Sequence, residues 1–142
     1  MPHDGPAPVL VGSYGTAASS IKAPSPMNYL AVHLKAGELW SYRPPAGDTV
    51  LLTAVGKGSI LVPDEVQQGE MVAFKPSSAA LEFDAQSDVE FVLGSAVPHD
   101  FHLVLGSHSV HTSIEALKQA ELLANQARQT EAGLQAHSQA YR

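Results

Sequence analysis

A chain of 142 residues is long enough for one domain with a real core and too short for two of ordinary size. With 44% hydrophobic and 15% charged residues it has a globular composition, and a formal net charge of -6 with only 8 Lys and Arg excludes the clustered basic surface that nucleic acid requires. The absence of cysteine excludes disulfides, thiolate metal sites and thiol nucleophiles together, and fits a reducing compartment.

The opening "MPHDGPAPVL" has no basic region leading into an apolar one, and no apolar run approaches the ~20 residues of a membrane span. The expectation is a cytoplasmic protein with neither a membrane nor a nucleic-acid partner. Short segments bounded by Gly, Pro, Asp and Ser then follow one another: "PVLVGSY", "MNYLAVHLKA", "ELWSYR", "TVLLTAV", "GSILV", "EMVAF", "ALEF", "DVEFVLG" and "FHLVL". Many short strands with turn chemistry between them predict an all-β sandwich or barrel over a parallel α/β sheet. The stretch Thr16 to Pro26, small, polar and broken by prolines, is expected to be an extended connection. In "MNYLAVHLKA", Met27, Tyr29, Ala31 and His33 share one face and Asn28, Leu30, Val32 and Leu34 the other. Both faces are largely apolar, which predicts a strand covered on both sides.

Near residue 112 the pattern changes. Thr112 to Glu115 has the form of a capping box, with the Thr112 hydroxyl as cap and Glu115 reaching back to it. Ile114, Leu117, Ala120, Ala124 and Ala127 lie along one stripe, so a helix is predicted from 113 to about 132, stopped at Gly133. Residues 133–142 are expected to be a loose tail without function. The whole, 1–142, is expected to be a single domain, its β part spanning about 8–110.

"GELWSYRPPAGDTVLLTAVG", Gly37 to Gly56, resembles the first motif of the cupins, small β-barrels with the pattern Gly, five residues, His, one residue, His, three or four residues, Glu, six residues, Gly. The glycines match, but the ligand positions fall on Arg43, Pro45 and Thr49. A second motif, through Gly69 and Pro76 with one extra residue, puts the fourth ligand on Leu81. Arg has no lone pair to offer, Pro and Leu have no side-chain donor atom, and a Thr hydroxyl alone is a weak ligand for a divalent transition ion. On spacing alone, the alternative is that Gly37 and Gly56 are ordinary turn glycines of another β fold.

A longer similarity covers roughly residues 9 to 130. Pro26, Met27, Tyr29 and Leu30, then Leu34 to Gly37, Pro45 to Gly47, and the approach from Gly106 to Thr112 resemble the C-terminal cupin domain of the pirin family. The resemblance implies a single cupin domain, a double-stranded β-helix or jelly roll with a C-terminal helix. It also implies that the metal site, three His and one Glu in the family's N-terminal domain, has no counterpart here, because nothing before Pro8 is long enough to supply that domain. Quercetin-dioxygenase activity and iron binding are therefore not carried over from the family.

Other side chains admit two readings each. Among the seven histidines, His99, His102, His108 and His111 cluster with Asp100, either as an alternative metal set for Fe, Ni, Mn or Zn or as surface and cap-adjacent residues. His99 and His102, three apart on a strand, diverge; His108 and His111 flank a turn. Arg43 at a barrel mouth either binds a carboxylate or phosphate, with Thr49 and Leu81 beside it, or pairs with Glu38 or Asp48. If Leu39, Ser41 and Arg43 face inward, Trp40 and Tyr42 face outward; otherwise these rings are buried. Ser77 and Ser78 lie in a turn without a nucleophile motif. The functional expectation is a non-catalytic binding or assembly module without cofactor, acting as a homodimer or with a partner cupin chain. The alternatives are a small metal-dependent oxygenase or isomerase, and a metal-free small-molecule binder.

Overall fold

Turn residues and period-two alternation cut the first part of the chain into twelve strands, as the computed structural model shows. They are β1 (His3–Asp4), β2 (Ala7–Val11), β3 (Ser13–Tyr14), β4 (Ala17–Ala18), β5 (Met27–Leu34), β6 (Leu39–Tyr42), β7 (Val50–Lys57), β8 (Ser59–Leu61), β9 (Glu65–Gln67), β10 (Met71–Ala73), β11 (Leu81–Ala85) and β12 (Val89–Ala96). Secondary structure is described for residues 1–140 and side chains for residues 1–133. Two compact units divide the chain, Met1–Pro98 and His99–Arg142.

In the first unit a six-stranded sheet, ordered β1-β2-β5-β12-β7-β10, faces a four-stranded sheet, ordered β6-β11-β8-β9. The strand β4, paired with β3, lies at the start of the stretch from Thr16 to Pro26 expected to be a plain connection. The jelly-roll expectation holds, but as a sandwich of two sheets, not as a closed barrel. The edge strands β1, β10, β6 and β9 run two to four residues, too few to carry a ladder from one sheet into the other. The strands β1 and β9, two and three residues long, are too short for a pattern-based reading.

Asn28, Leu30, Val32 and Leu34 of β5, Leu51, Thr53 and Val55 of β7, and Phe91, Leu93 and Ser95 of β12 point between the sheets. Trp40, Tyr42, Ile60, Phe83 and Ala85 meet them from the smaller sheet. Each fully buried Leu, Val or Phe contributes roughly 1.5–3 kcal/mol, so this interior holds the first unit together. Phe83 and Phe91 stack at 5.0 Å between ring centroids, and Trp40 lies 5.4 Å from Phe83. At the β7–β8 turn Gly58 has φ +78°, and a β-carbon there would collide with the backbone of Asp88.

The second unit pairs β13 (Val104–Leu105) with β14 (Val110–His111) and continues into α1 (Ile114–Ala140). Ser113, not Thr112, caps the helix: its Oγ accepts the Ala116 amide at 3.1 Å. The helix passes through Gly133, where a stop was expected, since one glycine costs only about 1 kcal/mol and no proline follows to break the turn. Most of the expected loose tail is therefore helical; its last two residues, Tyr141 and Arg142, lie outside the described residues. Among the described residues this unit has no buried side chain, and no helix is long and apolar enough to cross a membrane.

Candidate functional site

The cupin motif positions lie at one end of the first unit, on the loop between β6 and β7 and at the start of β11. Arg43 and Pro45 are exposed, and Thr49 and Leu81 are half-buried. Leu81 stands across from Tyr42 in the β6–β11 ladder, and the Thr49 carbonyl accepts the Ser77 amide at 3.2 Å. Ser77 Oγ in turn accepts the Ala79 amide, which makes this segment the turn expected from its sequence. The inward reading of Leu39, Ser41 and Arg43 is corrected: Trp40 and Tyr42 are buried, while Leu39 is 77% exposed. The aromatic rings win the interior because they bury far more apolar area than the alternate set. Arg43 pairs with neither expected acid. Glu38 Oε2 accepts the Lys35 amide at 2.9 Å, and Asp48 is turned inside.

What Asp48 does inside is a finding that the sequence did not announce. Ser95 Oγ donates to Asp48 Oδ2 at 2.9 Å, so Tyr42 must donate its hydroxyl proton to Ser95 Oγ, 2.8 Å away. The freed lone pair of Tyr42 accepts Asn28 Nδ2 at 3.2 Å, and Asn28 Oδ1 accepts the Ser13 amide at 2.8 Å. All three side-chain bonds run in one direction and terminate on the carboxylate, the order in which each bond polarises the next. Alongside, Trp40 Nε1 donates to Tyr14 OH at 3.0 Å. The residues in place do not fit the metal that the cupin motif implies. Its donor positions carry Arg, Pro, Thr and Leu, and the neighbouring interior is filled by aromatic rings and a closed hydrogen-bond chain.

The outer face of the six-stranded sheet is the other candidate. The strand β5, expected to be covered on both sides, is covered on one: Met27 and Tyr29 are 37% and 38% exposed and Ala31 is half-buried. Two open grooves cross this face. One, of about 310 Å³, runs over Gly94 between Tyr29 and Leu52 and is bounded by Met27 and Val50; the other, of about 380 Å³, runs over Ala31, Val92 and Ala54 toward His33 and Glu90. Charge appears only at that end, where His33 Nδ1 lies 3.8 Å from Glu90 Oε1, an ion pair when the imidazole is protonated. The signal for this face was present in the sequence as the second apolar phase of β5 and β7.

In the second unit His99, His102 and His108 are exposed and His111 is half-buried. The His99 ring stacks on Phe101 at 6.4 Å, and His111 Nε2 bonds Ser109 Oγ at 2.8 Å. Among the described residues no three His, Cys, Asp or Glu side chains come together as a metal-binding group.

No protein-family model matches the chain, and no curated protein matches it. Solved structures do. Quercetin 2,3-dioxygenase from Acinetobacter baumannii superposes with a TM-score of 0.76 at 18% identity, over 86% of this chain and 43% of that one. A bacterial pirin from Escherichia coli, solved in complex with nickel(II), superposes with a TM-score of 0.51 at 21% identity, over 56% of this chain and 34% of that one. The chain thus spans less than half the length of either of these two structures. With two facing antiparallel sheets in this order and these neighbours, the chain has the cupin fold, in the form found in pirin and quercetin 2,3-dioxygenase structures.

Proposed function

We propose that this protein is a metal-free cupin module that works through its surface, as a non-catalytic binding and assembly unit that associates with itself. The observation that carries the reading is the outer face of the six-stranded sheet, apolar across β5, β12, β7 and β10 and charged only at one end. Contiguous apolar surface of this kind marks an interaction site. The donor-poor motif positions add support, since a chain that does chemistry at a cupin metal needs imidazole or carboxylate where this one has Arg43, Pro45, Thr49 and Leu81. Size exclusion with light scattering on the full chain tests it: a particle of twice the 15.0 kDa chain mass is expected, and a monomer at every concentration sinks the reading.

A second reading, a small metal-dependent oxygenase or isomerase, is favoured by one observation, the likeness to quercetin 2,3-dioxygenase and to the nickel-bearing pirin. It would have to draw its ligands from His99, His102, His108 and His111 of the second unit. Metal analysis of protein purified without a histidine tag separates the two: substoichiometric Fe, Ni, Mn and Zn is the outcome expected here, and a full equivalent would favour the enzyme. A small ligand at Arg43, Thr49 and Leu81 is compatible with assembly, and thermal shifts against flavonoids, organic acids and sugar phosphates address it.

A further inference from the structure

The outer face of the six-stranded sheet is complementary to itself, and we propose that two copies of the chain dock there face to face about a two-fold axis parallel to the strands, between β12 and β7. The inference rests on the self-association reading and adds to it the surface, the axis and the contacts.

The ladder registers fix the rows that cross the face. One row reads Tyr29, Gly94, Leu52, Ala73 on β5, β12, β7 and β10. The next reads Ala31, Val92, Ala54, Met71. In each row large and small side chains alternate, and the two rows begin on opposite phases. Turning a row over about an axis between its second and third members reverses it. Tyr29 then meets the second copy's Ala73, and Leu52 meets Gly94. In the other row Met71 meets Ala31, and Val92 meets Ala54. Every large side chain finds a small one, which is what two sheets about 10 Å apart and aligned within roughly 30° need in order to interdigitate.

The charges at the end of the face obey the same operation. Glu90 stands across the ladder from Lys57, a bulge at this point of β7 keeping the two on one face. Among the described residues Lys57 has no ion-pair partner, and Glu90 has only His33. The two-fold sets Glu90 against the second copy's Lys57 and repeats the pair in reverse. A surface that matches its own reversal both in size and in sign fits a second copy better than it fits an unrelated partner, because a closed two-fold contact uses one patch twice.

Four full-chain variants test the docking by dissociation constant, with circular dichroism and the unfolding midpoint confirming that each remains folded. Leu52→Glu places a carboxylate over the second copy's Gly94 and is expected to leave a monomer. Glu90→Lys and Lys57→Glu are each expected to weaken the dimer by roughly tenfold or more. The double variant Glu90→Lys, Lys57→Glu restores opposite signs across the axis and is expected to dimerise again. A wild-type dimer indifferent to Leu52→Glu and to both reversals would overturn this face while leaving self-association standing. A double variant that stays dissociated would overturn the two-fold. A wild-type monomer would overturn both readings.

Discussion

Thr53 is fully buried on β7, and its hydroxyl is the single buried side-chain polar atom among the described residues without a hydrogen-bond partner. Such a group is stabilised in water and uncompensated in the interior, so Thr53→Val, which keeps the shape, is expected to stabilise the fold by about 1–2 kcal/mol. Urea unfolding should show a higher midpoint with an unchanged slope; a lower midpoint would mean that an internal water satisfies the hydroxyl. Tyr42 is the opposite case. Tyr42→Phe removes the oxygen that links Asn28 to Ser95 and leaves a buried amide donor unmade, a loss of about 1–3 kcal/mol by the same measurement. Neither effect could be foreseen from the sequence, where Asp48, Asn28 and Ser95 look like ordinary turn and strand residues. Two of the hydrogen-bond chain's three links join positions 47 and 53 residues apart, a distance over which local pattern carries no information.

At the level of elements, the strands bounded by glycine and proline were legible, and so was the change to helical spacing after His111. Direction and ends were not. Trp40 and Tyr42 alternate with Leu39 and Ser41, and either phase satisfies a strand; only the opposing Phe83 and Phe91 decide which set is inside. The helix offered two adjacent hydroxyl residues as caps and a glycine as a stop, and in each case the choice was settled by backbone geometry that residue type does not specify. Gly133 is exposed within α1, so Gly133→Ala is expected to stabilise the helix locally by about 1 kcal/mol. Amide exchange in the flanking turns should slow, and unchanged exchange would show that the helix ends nearer to the glycine.

For the molecule as a whole, the buried hydrophobic residues among those described fall between Ala7 and Leu93, inside the first unit. A chain ending at Pro98 is therefore expected to unfold cooperatively with a midpoint within about 5 °C of the full chain at equal concentration. Loss of cooperative unfolding would show that the first unit depends on residues beyond it. Composition and turn spacing made the β class legible, and the quoted residues made the cupin likeness legible. The split into two open sheets was not, since closure depends on how far the edge strands reach. Nor was the exposed side of β5, because a sequence apolar on both phases says that two faces seek cover without saying what supplies the second.

The inward turn of Trp40 and Tyr42 has a consequence for anyone wishing to build a metal centre into this scaffold. Exchanging Arg43, Pro45, Thr49 and Leu81 for the ordinary ligands would still leave the ligand at position 43 on the outer side of the chain, with indole and phenol filling the interior beside Leu81. Success would require sliding β6 by one position against β11, and that shift would carry both rings into water. Engineering should begin with the length of the connection that follows Tyr42, before any ligand is introduced.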